Sequence, residues 1–537
     1  MPVDSVFFEP LSPLRFLERS AEVFPDKIAI AGGDRDYSYK EFAEEATRLA
    51  QALRASGLRP GDRVAYLCPN IPEMLIAHFA VPLAGCVLVA INTRLSSNEV
   101  GFICRHSGAS MLVVDHELLS VVDGVADPGE VKEVVVIGGA SNEPGERSPA
   151  RSTYKDLVSR GTLDPIPWAV KDEMDTISIN YTSGTTGDPK GVAYSHRGAY
   201  LNALGEVLHS AMTPDSVYLW TLPMFHCNGW CTTWGVTAVG ATHVCLRAVR
   251  PTEIWRAIDE RAVTHLNAAP IVLTSIASAP EAHKLQRPLT VTTAGAAPSP
   301  TVIAEMEALG ARVVHVYGLT EVYGPYSVCE WQPQWQQLDP PERAAKLARQ
   351  GVGMLQAQRM RVVDEDMKDV PADGVTVGEI VMRGNNVMLG YFRDEEATES
   401  AFKGGWFHSG DLGVTHTDGY VELLDRAKDI VISGGENIST IEVENALLSH
   451  PAVMDVAVIG MPDDRWGERP KAFVVLAPER TAEESELISH VRTQIASFKA
   501  PEAVEFLEAL PRTSTGKVQK FELREREWAA HRRRIQG

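Results

Sequence analysis

Short apolar runs alternate with amphipathic stretches through the first 180 residues of this 537-residue chain. Four of the runs are typical of buried strands: Val64–Leu67, Cys86–Ala90, Met111–Val114 and Val134–Ile137. Helical patterns lie between such runs, for example over Tyr39–Ser56 and Glu73–Leu83. Strands that alternate with helices predict a parallel, layered α/β sheet. The length predicts roughly three folding units, or one large body with subdomains.

The pattern of apolar and polar residues changes after the charged segment Asp425–Asp429. A small α/β pattern follows, in which Ser439–Glu442 fits a capping box at the start of a helix. Two later runs are typical of strands: Val456–Ile459 and Ala472–Leu476. We therefore predict a large N-terminal body of layered α/β subdomains over residues 1–426 and a small C-terminal α/β domain over residues 427–537.

The formal net charge is −20. An acidic chain is a poor general partner for nucleic acid or anionic lipid, so we expect neither as a partner. No run approaches 18 uninterrupted apolar residues, which predicts no stable membrane insertion. The N-terminus has no basic region followed by an apolar core, and the seven cysteines are scattered. We expect a cytoplasmic protein in a reducing compartment.

Tyr181–Gly191 reads YTSGTTGDPKG and carries five hydroxyl side chains, three glycines and one lysine. Glycines let the backbone turn sharply and expose its N–H groups, while hydroxyls and lysine add donors and charge. This combination suits a loop that holds phosphate oxygens. The spacing differs from a Walker loop, which has four residues between its first glycine and Gly-Lys. Thr176–Asn180 and Val192–Tyr194 have strand character, so the loop is predicted to be an anchored hairpin connection.

A second candidate site lies at the end of the predicted strand Val313–Val316, where Tyr317–Glu321 reads YGLTE. Ligands collect at strand ends in open α/β sheets. An aromatic ring can stack on a purine, and a carboxylate can hold Mg²⁺ together with phosphate oxygens. Upstream, Thr290–Thr293 has strand character, and Ser299 followed by Pro300 predicts the start of a helix.

These motifs resemble those of the AMP-forming adenylating enzymes, which include acyl-CoA synthetases, peptide-synthetase adenylation domains and luciferases. The resemblance covers essentially the whole chain. Five ordered matches carry it: Tyr181–Gly191, Tyr317–Glu321, Gly405–Asp411, Asp425–Asn437 and Pro511–Lys517. It implies ATP, Mg²⁺ and CoA as the cofactor and co-substrates, a carboxylic acid as the substrate, and a C-terminal domain that is mobile.

The resemblance also implies roles for individual residues. Catalytic roles fall to Lys517, Glu321 and Thr185, and metal binding falls to Thr185 and Glu321. Contact with the nucleotide is expected from Thr182, Ser183, Gly184, Thr185, Thr186, Gly187, Lys190, Gly295, Ala296, Ala297, Tyr317, Gly318, Thr320, Asp411 and Arg426. Lys428 occupies the hinge position. The loop beside the pantetheine arm of CoA comprises Ser433, Gly434 and Gly435.

The segment Leu222–Trp234 is aromatic, apolar and small, and it corresponds to the acyl side of the family's active site. The expected pocket residues are His226, Asn228, Gly229, Trp230 and Trp234. The run resembles the branch that uses short to medium acyl chains, including 3-methylthiopropionate. Because no basic residue stands out there, we expect an uncharged acyl tail, as in a short- or medium-chain fatty acid.

Other readings stay open at this point. The acceptor is free CoA, the phosphopantetheine of a carrier protein, or oxygen as in luciferase. A non-catalytic nucleotide-binding protein is the alternative from another class. A homodimer is one open arrangement of the subunits.

Overall fold

The computed structural model describes residues 9–138, 149–182, 189–296, 298–426, 428–433, 436–463, 465–513 and 516–536, with side chains described as far as residue 529. Within these ranges the chain forms a large N-terminal body of layered α/β subdomains and a smaller C-terminal α/β domain. The described α-helices of five or more residues are Leu14–Val23, Tyr39–Ala55, Pro72–Leu83, Ser97–Ser107, Leu119–Asp123, Tyr154–Ser159, His196–His209, Thr232–Ala238, Pro251–Arg261, Pro270–Ala277, Pro300–Leu309, Pro340–Leu347, Glu395–Ala401, Thr440–Leu448, Glu484–Gln494 and Lys520–Gln536.

The first large sheet contains the strands predicted from the early apolar runs. Its strands lie in the order Gly390–Tyr391, Gly191–Ser195, Thr176–Tyr181, Val87–Ala90, Arg63–Leu67, Ala109–Asp115, Glu133–Ile137 and Ala150–Thr153. The pairing is parallel from Thr176–Tyr181 outward through Ala150–Thr153. Thr176–Tyr181 and Gly191–Ser195 pair in antiparallel fashion, which confirms a hairpin around the hydroxyl-rich loop.

The second large sheet has the order Val352–Gly353, Gly324–Val328, Ala311–Leu319, Leu289–Thr293, His265–Ala268, Val217–Leu219, Thr242–Val244, Ile28–Ala31 and Tyr37–Ser38. Ser299 caps the helix Pro300–Leu309 as predicted, because its hydroxyl accepts a hydrogen bond from the N–H of Val302. The end of the strand Ala311–Leu319 and the 3-10 turn Thr320–Val322 that follows it together carry the second candidate motif. Buried side chains of helices such as Tyr39–Ala55 and Pro72–Leu83 pack with strands of both large sheets in the main core.

A small antiparallel sheet follows, in the order Arg361–Val363, Gly378–Met382, Phe407–Thr415 and Val421–Arg426. The C-terminal sheet runs Glu436–Ile438, Val431–Ser433, Gly467–Leu476 and Val453–Asp463, with Ala503–Phe506 parallel to Gly467–Leu476. The capping box predicted at Ser439–Glu442 is half made. Ser439 accepts from the N–H of Glu442, but the Glu442 carboxylate pairs with Lys499 at 2.6 Å instead of reaching back to the cap.

Candidate active site

A cavity of about 1080 Å³ lies where the C-terminal domain meets the ends of strands from the body. It brings together most of the described residues that the sequence singled out. Those that line it are Thr182, Lys190, His226, Trp230, Gly295, Ala296, Tyr317, Gly318, Thr320, Glu321, Asp411, Arg426, Lys428 and Lys517. Asn228, Gly229, Trp234 and Ser433 are described but lie outside its lining.

The base of the hydroxyl-rich loop is closed by a backbone hydrogen bond of 3.0 Å from the N–H of Thr182 to the carbonyl of Lys190. The ammonium of Lys190 lies 4.7 Å from the centre of the Tyr391 ring. The roles predicted for Ser183, Gly184, Thr185, Thr186 and Gly187 fall outside the described residues, as do those for Ala297, Gly434 and Gly435.

Glu321 lies in the 3-10 turn at the end of its strand and faces the cavity. Tyr391 donates a hydrogen bond of 2.9 Å to one carboxylate oxygen. Burial raises the pKa of Glu321, because the charged form loses water. A divalent cation at this carboxylate would offset that cost. Among the described residues no group of three His, Cys, Asp or Glu could hold a metal by itself, so Glu321 fits Mg²⁺ bound mainly through phosphate oxygens and water.

Asp411 and Arg426 face each other on adjacent antiparallel strands. The guanidinium Nε of Arg426 lies 3.4 Å from one oxygen of Asp411, which is 3% exposed. The hydroxyl of Tyr317 donates to the other oxygen at 2.6 Å. This network fixes the Tyr317 ring as a wall of the cavity and presents a carboxylate beside it. A diol placed against that wall would find an acceptor, which suits a ribose.

Lys517 reaches the same cavity from the C-terminal domain. Burial lowers its pKa to about 8, and the nearby cations Arg426 and Lys428 act in the same direction. The adjacent Gly516 has a positive φ of 85°, and a Cβ there would come within 2.9 Å of the Ile271 side chain. A larger residue would therefore push the lysine loop off the helix Pro270–Ala277.

Cys227–Cys231 forms a left-handed turn. All five residues have φ between 50° and 63°, and only Gly229 is a glycine. Left-handed backbone costs about 1–2 kcal/mol for each L-residue, so the surroundings must hold this turn in place. A Cβ at Gly229 would come within 2.4 Å of the Trp220 ring, which explains the glycine.

The turn directs Trp230 toward the cavity, where its indole packs on Gly324 so closely that a Cβ there would lie 2.7 Å from it. Trp234 lies in the core, and its indole N–H donates to the carbonyl of His78 at 3.1 Å. His226 precedes the turn and lines the cavity. Burial, followed by the charge of Lys517, lowers the pKa of His226 to about 4, so its ring is neutral near pH 7.

Sequence reasoning missed two features of the site. Tyr391 contacts both Lys190 and Glu321, yet its strand has only two residues, too short for a recognisable pattern. Asp425 accepts hydrogen bonds of 2.6 and 2.7 Å from the N–H and hydroxyl of Thr440. These two bonds tie the small antiparallel sheet to the C-terminal domain, and Lys520 donates to the same Thr440 hydroxyl at 2.6 Å.

The cavity thus combines the base of a phosphate-binding loop, two carboxylates and a lysine that enters from the C-terminal domain. This arrangement is that of an ATP-dependent adenylating enzyme. The AMP-binding enzyme family model matches residues 17–392, and the model for the AMP-binding enzyme C-terminal domain matches residues 442–517. The chain belongs to the AMP-binding enzyme family.

Similar proteins indicate which reaction this member of the family catalyses. The chain is 44% identical to acetate–CoA ligase CCL3 of Humulus lupulus, over 98% of this chain and 96% of that protein. It is 44% identical to the peroxisomal acetate/butyrate–CoA ligase AAE7 of Arabidopsis thaliana, over 96% and 94%. The crystal structure of the anthranilate CoA ligase AuaEII with anthranoyl-AMP superposes with a TM-score of 0.87 at 26% identity, covering 99% of this chain and 100% of that one. The protein is an acyl-CoA ligase that works through an acyl-adenylate and uses ATP, Mg²⁺ and CoA.

Within the described residues, no helix combines the length and apolar character needed to cross a membrane. A cytoplasmic location stays a prediction, since some of the similar proteins are peroxisomal.

Proposed function

We propose that the protein joins CoA to an uncharged short- or medium-chain carboxylic acid, with short fatty acids as the main substrates. The observation that carries this proposal is the acyl side of the cavity, where Trp230 packs on Gly324 and the lining residues Phe225, Cys227 and Pro325 carry no charge. The neutral His226 adds none. The similar ligases that act on acetate and butyrate support the same size range.

We propose the following division of roles. Glu321, with Thr185, would hold Mg²⁺, which would neutralise charge on the phosphates. Lys517 lies between the acid's carboxylate and the α-phosphate, where it offsets the repulsion between two anions. Asp411 binds the ribose, and Tyr317 lines the adenine side. The carboxylate oxygen of the acid attacks the α-phosphorus, and pyrophosphate leaves.

For the second step, the CoA thiol attacks the acyl carbon and releases AMP. We propose that the body, residues 1–426, and the C-terminal domain, residues 427–537, rotate about Lys428 between the two steps, which would bring Ser433–Gly435 beside the pantetheine arm. Pyrophosphate exchange with acids of two to eight carbons tests the first step, and AMP release with free CoA tests the acceptor. Exchange without CoA-dependent turnover would favour carrier loading instead. A best rate with 3-methylthiopropionate would select that alternative substrate.

Trp230→Ala should extend the range of acids. Removing the indole opens space against Gly324, so acids two or more carbons longer than the best substrate should gain about tenfold in kcat/KM relative to acetate. Trp234→Phe is the matched control, because its indole bonds to His78 away from the cavity. That variant should lower Tm and leave the chain-length profile unchanged. Identical profiles for Trp230→Ala and the wild type would remove Trp230 from the pocket.

Adenylate formation should weaken as pH rises through about 8. Lys517 acts as a cation, and its pKa lies near 8 instead of the ordinary 10.5, so its charged fraction falls above that pH. The value of kcat/KM for ATP should then fall by about tenfold per pH unit. The guanidinium in Lys517→Arg stays charged throughout this pH range, so this variant should not show the alkaline limb, the fall in kcat/KM above about pH 8. An unchanged limb in that variant would assign the titration to another group.

A further inference from the structure

The left-handed turn Cys227–Cys231 joins two residues that line the cavity, His226 and Trp230. Because Trp230 is itself part of the turn, any relaxation toward right-handed backbone would redirect its indole. We call the Trp230 indole and Gly324, which it packs on, the acyl wall. The position of the acyl wall therefore depends on the contacts that hold the turn.

Asn228 ties the turn to its surroundings through three hydrogen bonds. Its side-chain oxygen accepts hydrogen bonds of 2.7 Å from the hydroxyl of Ser178 and 2.9 Å from the amide of Asn180. Its main-chain carbonyl accepts a hydrogen bond of 3.0 Å from the hydroxyl of Thr233, in the helix that follows the turn. The side chain is fully buried and does not line the cavity.

Asn228 meets two separate requirements. Asparagine tolerates left-handed backbone better than most residues, so it suits φ 51°, ψ 41°. Its side chain also ties the turn to the strand Thr176–Tyr181, which leads directly into the hydroxyl-rich loop. One amide thus joins the acyl wall to the strand that carries the phosphate-binding segment.

We propose that Asn228 is a positioning residue that sets how far Trp230 enters the cavity and thereby fixes the longest acyl chain accepted. It acts through the backbone of the turn and does not touch the substrate. This inference rests on the proposed function, since it names a device that selects among acids at the same site.

Asn228→Gly separates the two requirements, because glycine keeps the left-handed backbone and loses the side-chain tie. The ratio of kcat/KM for hexanoate to that for acetate should rise about tenfold, while the KM for ATP stays within about twofold. Asn228→Asp retains an acceptor for Ser178 and Asn180 and tolerates the same backbone, so it should restore most of the wild-type ratio. Tm is measured for each variant.

A lower Tm with an unchanged chain-length ratio would reduce Asn228 to a structural residue and overturn the proposal. Should Asn228→Gly fail to fold, Ser178→Ala removes one of the two donors and must move the ratio in the same direction. An unchanged ratio in that variant also overturns the proposal. Failure of the wild type to activate any acid would instead contradict the proposed function, so the two failures are distinguishable.

Discussion

Lys517→Ala should lower the rate of adenylate formation by about 10²–10³-fold, the loss expected when a donor aimed at developing charge is removed. The ammonium lines the cavity beside Arg426 and Asp411, so it faces the space where both anions would bind. Both reactants are anions, so the barrier contains their repulsion directly. Pyrophosphate exchange measures this step without contribution from CoA.

The second half-reaction provides the internal comparison for this variant. Starting from chemically prepared acyl-adenylate, thioester formation should fall much less, because no second anion has to approach the phosphate. Lys499→Ala is the matched lysine control in the same domain, since Lys499 pairs with Glu442 away from the cavity. Equal exchange rates for Lys517→Ala and wild type would refute the assignment, and equal losses in both half-reactions would point to a folding defect.

The parts of the fold that the sequence predicted are individual helices and strands, because local residue patterns determine them. The helix predicted over Tyr39–Ser56 forms over Tyr39–Ala55, and the strand predicted over Val134–Ile137 forms over Glu133–Ile137. Periodicity and capping residues decide such elements within a few neighbours. The half-made capping box at Ser439 marks the limit, because Glu442 finds a better partner in Lys499, which is distant in sequence.

The acyl side of the cavity shows why part of the site could not be predicted from the sequence. Trp230 and Trp234 are four residues apart, a spacing that places two side chains on one face of a right-handed helix. The left-handed turn breaks that relation, so one indole lines the cavity and the other enters the core. The turn depends on hydrogen bonds from Ser178 and Asn180, about 50 residues upstream. Local sequence patterns do not predict contacts between residues so far apart in the chain. Tyr391 was missed for the same reason, since it meets Glu321 only through the fold.

Glu321→Gln should reduce adenylate formation by on the order of 10²–10³-fold and raise the Mg²⁺ concentration needed for half-maximal rate. The amide keeps the shape of the carboxylate but lacks the charge that a divalent cation requires. Tyr391→Phe keeps the ring beside Lys190 and removes only the hydrogen bond to Glu321, so it should cost about tenfold or less. Pyrophosphate exchange over a Mg²⁺ titration measures both variants.

A buried glutamate away from the cavity separates a charge effect at Glu321 from a packing effect. Glu206 is 1% exposed, it lies outside the cavity lining, and burial raises its pKa well above the ordinary value. Glu206→Gln keeps the shape of the side chain at a position away from the cavity, so it should leave both the exchange rate and the Mg²⁺ dependence unchanged. Glu321→Gln with wild-type Mg²⁺ dependence would contradict metal binding at Glu321. A matching loss in Glu206→Gln would mean that the effect does not require a carboxylate at the cavity, and the charge argument at Glu321 would fail with it.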